Sequence, residues 1–215
     1  MPTAEPDPVL GLLERTVTED EVLATARERA QELGARPVSP GVGAVLRFLA
    51  ATTSARAVVE VGTGAGVSGV WLLRGLRPDA VLTTIDSEPE NLRAAKRSFL
   101  DAGASPGRLR LINGQAHEVL PRLTDGGYDL VVVDAGTHAH AELAGFLTEA
   151  LRLLRPGGVV AVHGALAGGR VGEPSQRDPA TVALRELLRL VTEDERLAPV
   201  LLPHGEGVLA AALLG

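Results

Sequence analysis

Three glycines at alternate positions punctuate Val58-Val59-Glu60-Val61-Gly62-Thr63-Gly64-Ala65-Gly66, directly after an apolar run and before a helical stretch. Glycine at such a turn lets the backbone bend sharply and lets a ligand come close without meeting a Cβ. The spacing is Gly-x-Gly-x-Gly, whereas a dinucleotide pyrophosphate is seated on a helix N-terminus by Gly-x-Gly-x-x-Gly. The acid at Glu60 likewise argues against an anion and tolerates a cation. The next apolar run ends in Asp86, whose carboxylate could accept hydrogen bonds from both hydroxyls of a ribose or cap the helix that follows. Its occurrence together with the glycine turn favours the ribose. Farther on, Asp134 and His163 end apolar runs, and His138 and His140 follow Asp134 closely. An imidazole near neutrality can take a proton from a phenol or similar hydroxyl.

These groups need elements that bring them to one edge. From residue 57, short β-branched runs alternate with helical stretches, the pattern of βα units and a mainly parallel sheet. Strands are predicted over 57–61, 81–85, 109–112, 130–134 and 159–163, with helices over 67–76, 89–102, 116–123 and 141–154. A helix from about 179 to 191 precedes 197–202 and 207–213, which flank Pro203-His204-Gly205-Glu206 as a hairpin, with His204 expected in solvent. Upstream, one helix starts near Thr18 and ends at Leu33, and a second follows Ser39-Pro40; together they form an N-terminal cap over 1–56. Residues 1–8 are expected to fray. In a parallel sheet the turn at Gly62 and the ends at Asp86, Asp134 and His163 share the carboxyl edge, where ligands bind.

With 215 residues, one domain over 1–215 is expected, its core (57–215) built from Ala, Val and Leu. A net charge of −6 without a Lys/Arg block excludes nucleic acid as a partner. Absence of cysteine excludes a disulfide framework and agrees with a cytoplasmic location. No run of about 18 apolar residues predicts a membrane span.

From about Gly34 onward the chain resembles the catechol O-methyltransferase-like family of small bacterial O-methyltransferases (O-methyltransferase family 3). The matching segments are Val38-Ser39-Pro40, the glycine turn continued by Val67-Ser68, Leu82-Thr83-Thr84-Ile85-Asp86, Gly114-Gln115-Ala116-His117, Tyr128-Asp129-Leu130-Val131-Val132-Val133-Asp134 and Leu151-Arg152-Leu153-Leu154-Arg155-Pro156-Gly157-Gly158. The resemblance implies a Rossmann-like class I methyltransferase fold: α/β, a mainly parallel seven-stranded sheet with an antiparallel C-terminal strand, and helices on both faces. It implies S-adenosylmethionine as cofactor, a ligand without phosphate that suits the glycine spacing. Glu60, Gly62, Ser68 and Asp86 would contact it, with Thr63, Gly64 and Gly66 completing the turn. Ala116 and His117 would lie by the adenine, Val38 would border the methionine arm, and Asp134 would face the cofactor's amino group and a metal. It also implies pairing as a homodimer.

The chain departs from that pattern at the metal. Where the family's fourth strand continues as Asp-Ala-Asp-Lys and its fifth ends in Asp-Asn, this chain has Asp134-Ala135-Gly136-Thr137 and His163-Gly164. A hard cation gains most from several oxygen ligands, so the family's divalent ion is not expected here. The expectation is O-methylation of a small-molecule acceptor, phenolic or another hydroxyl, with Asp134 and His163 near the transferred methyl. For His163 three roles stand open: packing in place of the lost metal, taking the acceptor proton, or joining Asp134 and His138 or His140 around a softer ion such as Zn²⁺. Two other classes are a cofactor-binding partner subunit without catalysis and a nicotinamide-dependent oxidoreductase, the latter disfavoured by the glycine spacing. The Gly-rich 165–172 segment is flexible by composition; the resemblance places it where the family carries an acceptor-side loop, its lack of aromatics implying a roomier site, and the alternative is a mobile surface loop.

Overall fold

The structure, a computed structural model, describes residues 8–135 and 142–215. Local capping sets several helices. Asp20 accepts from Leu23 N at 3.2 Å and starts α2 (Glu21–Glu32), and Ser39 accepts from Val42 N at 3.3 Å at the head of α3 (Pro40–Thr52). Asp178 does the same for α8 (Pro179–Glu193), where, as in α3, a proline fills the first turn. Between them lie α4 (Val67–Gly75), α5 (Pro89–Asp101), α6 (Ala116–Val119) and α7 (Leu143–Leu153).

One helix was not expected. α1 (Pro8–Thr16) lies ahead of the two predicted cap helices and is fastened by tertiary bonds from Glu14 to Ser39 and Gly41 at the head of α3. The fraying expected of the N-terminus falls, apart from Pro8, outside the described residues. The helix predicted over 116–123 stops at Val119 and goes on as a 3₁₀ turn, Leu120–Arg122, because Pro121 has no amide to give an α-helical bond. The helix predicted over 141–154 spans Leu143–Leu153.

Strands β1 (Ala57–Val61), β2 (Val81–Asp86), β3 (Leu109–Asn113), β4 (Tyr128–Asp134), β5 (Leu154–His163), β6 (Leu197–Leu202) and β7 (Val208–Leu213) form one sheet in the order β3-β2-β1-β4-β5-β7-β6. The first five are parallel; β7 runs antiparallel to both β5 and β6. Alternation along the strands divides the core. Val58, Leu130 and Val132 pack with α2 to α5 on one face, while Val59, Val131 and Val133 pack with α6 to α8 on the other. Every residue of β4 is buried, as befits a central strand covered on both sides. At its lower end Asp129 accepts from the amides of Arg56 (2.7 Å) and Ala57 (2.9 Å) and pairs with Arg155, holding the start of β1 beside β4.

Chain direction out of the sheet reverses between β1 and β4, which are neighbours although far apart in sequence. In open α/β sheets the loops part at such a point and leave a crevice at the carboxyl edge.

Candidate active site

The glycine turn takes up the conformations that its composition predicts. Gly62, Gly64 and Gly66 have φ of +93°, +49° and +89°, values that a side chain would strain. Their duties differ. Gly64 faces the crevice, with only the Ala35 methyl among the described residues within 4 Å of where its Cβ would be, whereas a Cβ on Gly66 would lie 2.9 Å from Ala95 Cα and from the Phe99 ring. Gly66 therefore serves the packing of α4 on α5, which Ser98 reinforces by donating to Ala65 O at 2.9 Å.

The crevice encloses about 520 Å³, within the usual range of small-molecule sites. Val38, Gly62, Thr63, Gly64, Ser68, Asp86, Asp134 and His163, all predicted site residues, line it. Glu60, Gly66, Ala116 and His117 do not. Ala116 is buried at the start of α6, and His117 turns its half-exposed ring toward Glu142, Nδ1 standing 3.5 Å from Oε1.

Asp86 is held in place by donors. Its carboxylate accepts from Gly64 N (2.9 Å), Glu88 N (2.9 Å) and the Asn91 amide (3.2 Å to each oxygen). It thus ties the glycine turn to the head of α5 while keeping its face on the crevice. Asn91 was missed from the sequence, since nothing about an Asn in the first turn of a helix marks it as the partner of an acid five residues earlier.

Beneath the turn runs a buried polar chain. The Thr84 hydroxyl donates to Glu60 Oε2 at 2.7 Å, and its single proton being so used, the Thr63 hydroxyl donates to Thr84 at 2.6 Å. Glu60 is 1% exposed, and its Oε1 has no hydrogen-bond partner among the described residues. Burial lifts its pKa from the ordinary 4.5 to about 7; the Ser68 and Thr84 hydroxyls oppose the rise, and the charges of Asp134 and Asp86 add to it.

Asp134 and His163 are register partners at the carboxyl ends of β4 and β5, so their side chains emerge together. His163 Nε2 lies 3.4 Å from Asp134 Oδ1, both side chains largely buried. Both also line a second cleft of about 640 Å³, which shares Arg36, Pro37 and Val38 with the first. The pair thus stands at the seam of two adjoining chambers. Ala167, Gly168, Arg170, Leu184 and Gly205 close the second one, and no Phe, Tyr or Trp lines it among the described residues.

Residues 167–172, where a flexible loop was expected, form two short 3₁₀ turns that meet at a kink, Gly168 and Gly169 having φ of +65° and +92°. Arg185 on α8 donates to the carbonyls of Arg170 and Val171 in the turn, and of Glu173 and Gln176 just beyond it. His204, expected in solvent, has its Nδ1 buried, because the β6–β7 turn folds back onto the head of α3. His138 and His140 lie outside the described residues; among those described, no three His, Cys, Asp or Glu side chains gather as a metal site would require.

Known proteins resemble this chain over nearly its whole length. A family model described as O-methyltransferase matches residues 13–213. A candidate O-methyltransferase of Mycolicibacterium vanbaalenii is 56% identical over 214 residues, 98% of this chain and 93% of its own. Among solved structures, a Corynebacterium glutamicum protein superposes with a TM-score of 0.88 at 30% identity, over 97% of this chain and 96% of the other. The O-methyltransferase TomG of Streptomyces achromogenes, involved in tomaymycin synthesis and solved with S-adenosylmethionine, gives 0.83 at 28% identity over 97% of each chain.

Proposed function

The chain belongs to the O-methyltransferase family, and from that premise we propose that it methylates a hydroxyl of a small molecule from S-adenosylmethionine, with His163 as base and without a divalent ion. The observation that carries this reading is the position of His163 and Asp134 at the seam between the two chambers, 3.4 Å apart.

The first chamber suits the cofactor. Gly64 leaves room for close approach, Asp86 offers carboxylate oxygens to ribose hydroxyls, and Thr63, Ser68 and Val38 complete the lining. Glu60 and Gly66 support the turn from below, and Ala116 and His117 stand beyond it on the adenine side. When bound, the cofactor supplies a methyl group on a cationic sulfur, which the acceptor oxygen takes as the methyl–sulfur bond breaks toward sulfur. His163 accepts the acceptor's proton on its imidazole, and Asp134 steadies the imidazolium that results. Holding the acceptor in line in a walled chamber can itself supply a large part of the rate.

The donors present do not fit the family's divalent ion. Asp134 is one carboxylate, His163 is an imidazole, and Gly164 contributes no side chain, whereas Mg²⁺-like ions need several oxygens. The second chamber, which no Phe, Tyr or Trp lines among the described residues, takes the acceptor. A net charge of −6 sets nucleic acid aside, and among the described residues no helix is long and apolar enough to cross a membrane. The same reading takes the protein as a cytoplasmic homodimer, for which Phe48 on α3 and Val200 and Leu201 on edge strand β6 offer exposed apolar surface.

The test is methyl transfer from labelled S-adenosylmethionine to a panel of phenols and aliphatic alcohols, after EDTA treatment and again with added Mg²⁺. Equal turnover in both supports the reading. Turnover only with Mg²⁺ overturns its metal-free part, and cofactor binding with no transfer to any acceptor would make the protein a binding partner instead.

A further inference from the structure

We infer that Glu14 is a positioning residue of the acceptor chamber, a carboxylate that touches neither chamber yet clamps together two segments of the acceptor wall, the head of α3 and the β6–β7 turn. The inference rests on the methyltransferase reading for the use of that chamber, and on hydrogen-bond geometry for the clamp.

One Glu14 oxygen accepts from the Ser39 hydroxyl at 2.8 Å and from Gly205 N at 3.1 Å; the other accepts from Gly41 N at 2.7 Å. Ser39 and Gly205 line the second chamber, as does Val42 one turn into α3. The donors come from the head of α3 and the β6–β7 turn, while the acceptor rides on α1. An anionic acceptor suits this place, because the first amides of a helix are unpaired and carry the positive end of its dipole.

Two glycines make the approach sterically feasible. A Cβ on Gly41 would lie 2.7 Å from Glu14 Oε1 and so would evict the carboxylate. Gly205 has φ +54°, and a Cβ there would lie 2.9 Å from Ser39 Oγ and 3.0 Å from Val42 Cγ2. Close backbone approach is thus built in at both donors.

The clamp reaches the reacting edge through backbone bonds. Gly164 N and Ala165 N donate to Gly207 O at 2.8 and 3.2 Å, and Leu166 N donates to Glu206 O at 2.8 Å. Residues 164–166 follow His163 directly, so fixing the β6–β7 turn fixes the chain on the acceptor side of the imidazole. The cofactor turn at 62–68 takes no bond from Glu14.

Glu14→Gln keeps the shape but exchanges one accepting oxygen for a donor facing donors. Gly41→Ala evicts the carboxylate without altering it. Each variant is compared with the full-length wild type by hydrogen exchange with mass spectrometry, and by kinetics with 3,4-dihydroxybenzoate as probe acceptor. Loss of charge-assisted bonds of this kind predicts exchange in 203–207 and 164–166 faster by about tenfold, with a similar rise in acceptor KM. Residues 62–68, cofactor affinity and kcat should change little. Faster exchange confined to α1, or an unchanged acceptor KM in an active enzyme, overturns the proposal. A wild type that methylates no acceptor faults the methyltransferase reading instead, and exchange at 203–207 and 164–166 then decides the clamp by itself.

Discussion

His163 Nε2 stands 3.4 Å from Asp134 Oδ1 because parallel pairing of β5 with β4 places the two residues opposite each other at the last rung of the ladder. An acid and an imidazole thus stand side by side at the edge where two chambers meet, and the proposed reaction uses them to take a proton and stabilise the charge that follows.

Replacing His163 tests that unit. His163→Ala and His163→Gln should lower kcat by about a hundredfold, the usual worth of a general base, and leave cofactor affinity by calorimetry unchanged. If turnover were untouched, His163 would be filling space beside Asp134.

The Asp86 carboxylate is bonded to Gly64, Glu88 and Asn91 and also faces the crevice, where the proposed reading puts the ribose. Asp86→Ala should weaken S-adenosylmethionine binding by at least tenfold, hydrogen bonds to a charged group being worth about 1.5–3 kcal/mol each. Wild-type affinity in titration calorimetry would remove the ribose assignment.

Glu60 predicts an unusual dependence of stability on pH. Its folded pKa of about 7 lies above the ordinary 4.5, so between these values the folded chain holds a proton that the unfolded chain has lost. Stability therefore falls as pH rises from about 4.5 to 7 and levels off above, by on the order of 3 kcal/mol from this group. Glu60→Gln should abolish that slope, as denaturant melts at pH 5 and pH 8 would reveal. Equal slopes in the two proteins would mean that Glu60 stays ionised when buried.

Gly66→Ala separates packing from binding among the three glycines. With φ at +89° and the new methyl 2.9 Å from Ala95 Cα, the variant should lose about 2 kcal/mol or more in urea unfolding. A stable variant would require α4 and α5 to part without cost.

Much of the architecture was legible in the chain. The β-branched run Val58 to Val61 and the unbroken apolar run 130–133 marked strands; Ser39-Pro40 and Pro179 marked helix starts; the hairpin around Gly205 marked the antiparallel ending. These are local signals, written within a few residues. The same holds for Gly62, Gly64 and Asp86, whose positions at strand ends sent them to one edge of any parallel sheet.

What the chain alone left open depended on contacts between distant segments. The residues by themselves say only that Asp134 and His163 end strands, and the family resemblance sets them near one another; the pairing of β4 with β5 in the order β3-β2-β1-β4-β5-β7-β6 is what makes them register partners. The sequence could say that Gly41 and Gly205 are glycines, but only folding brings Glu14 to both amides, and only packing of α5 shows that Gly66 answers to Phe99. Local propensity is set by adjacent residues and can be read along the chain. A carboxylate's partner is set by which surfaces the packed core brings together, and that is decided only when the sheet and its two helical layers close.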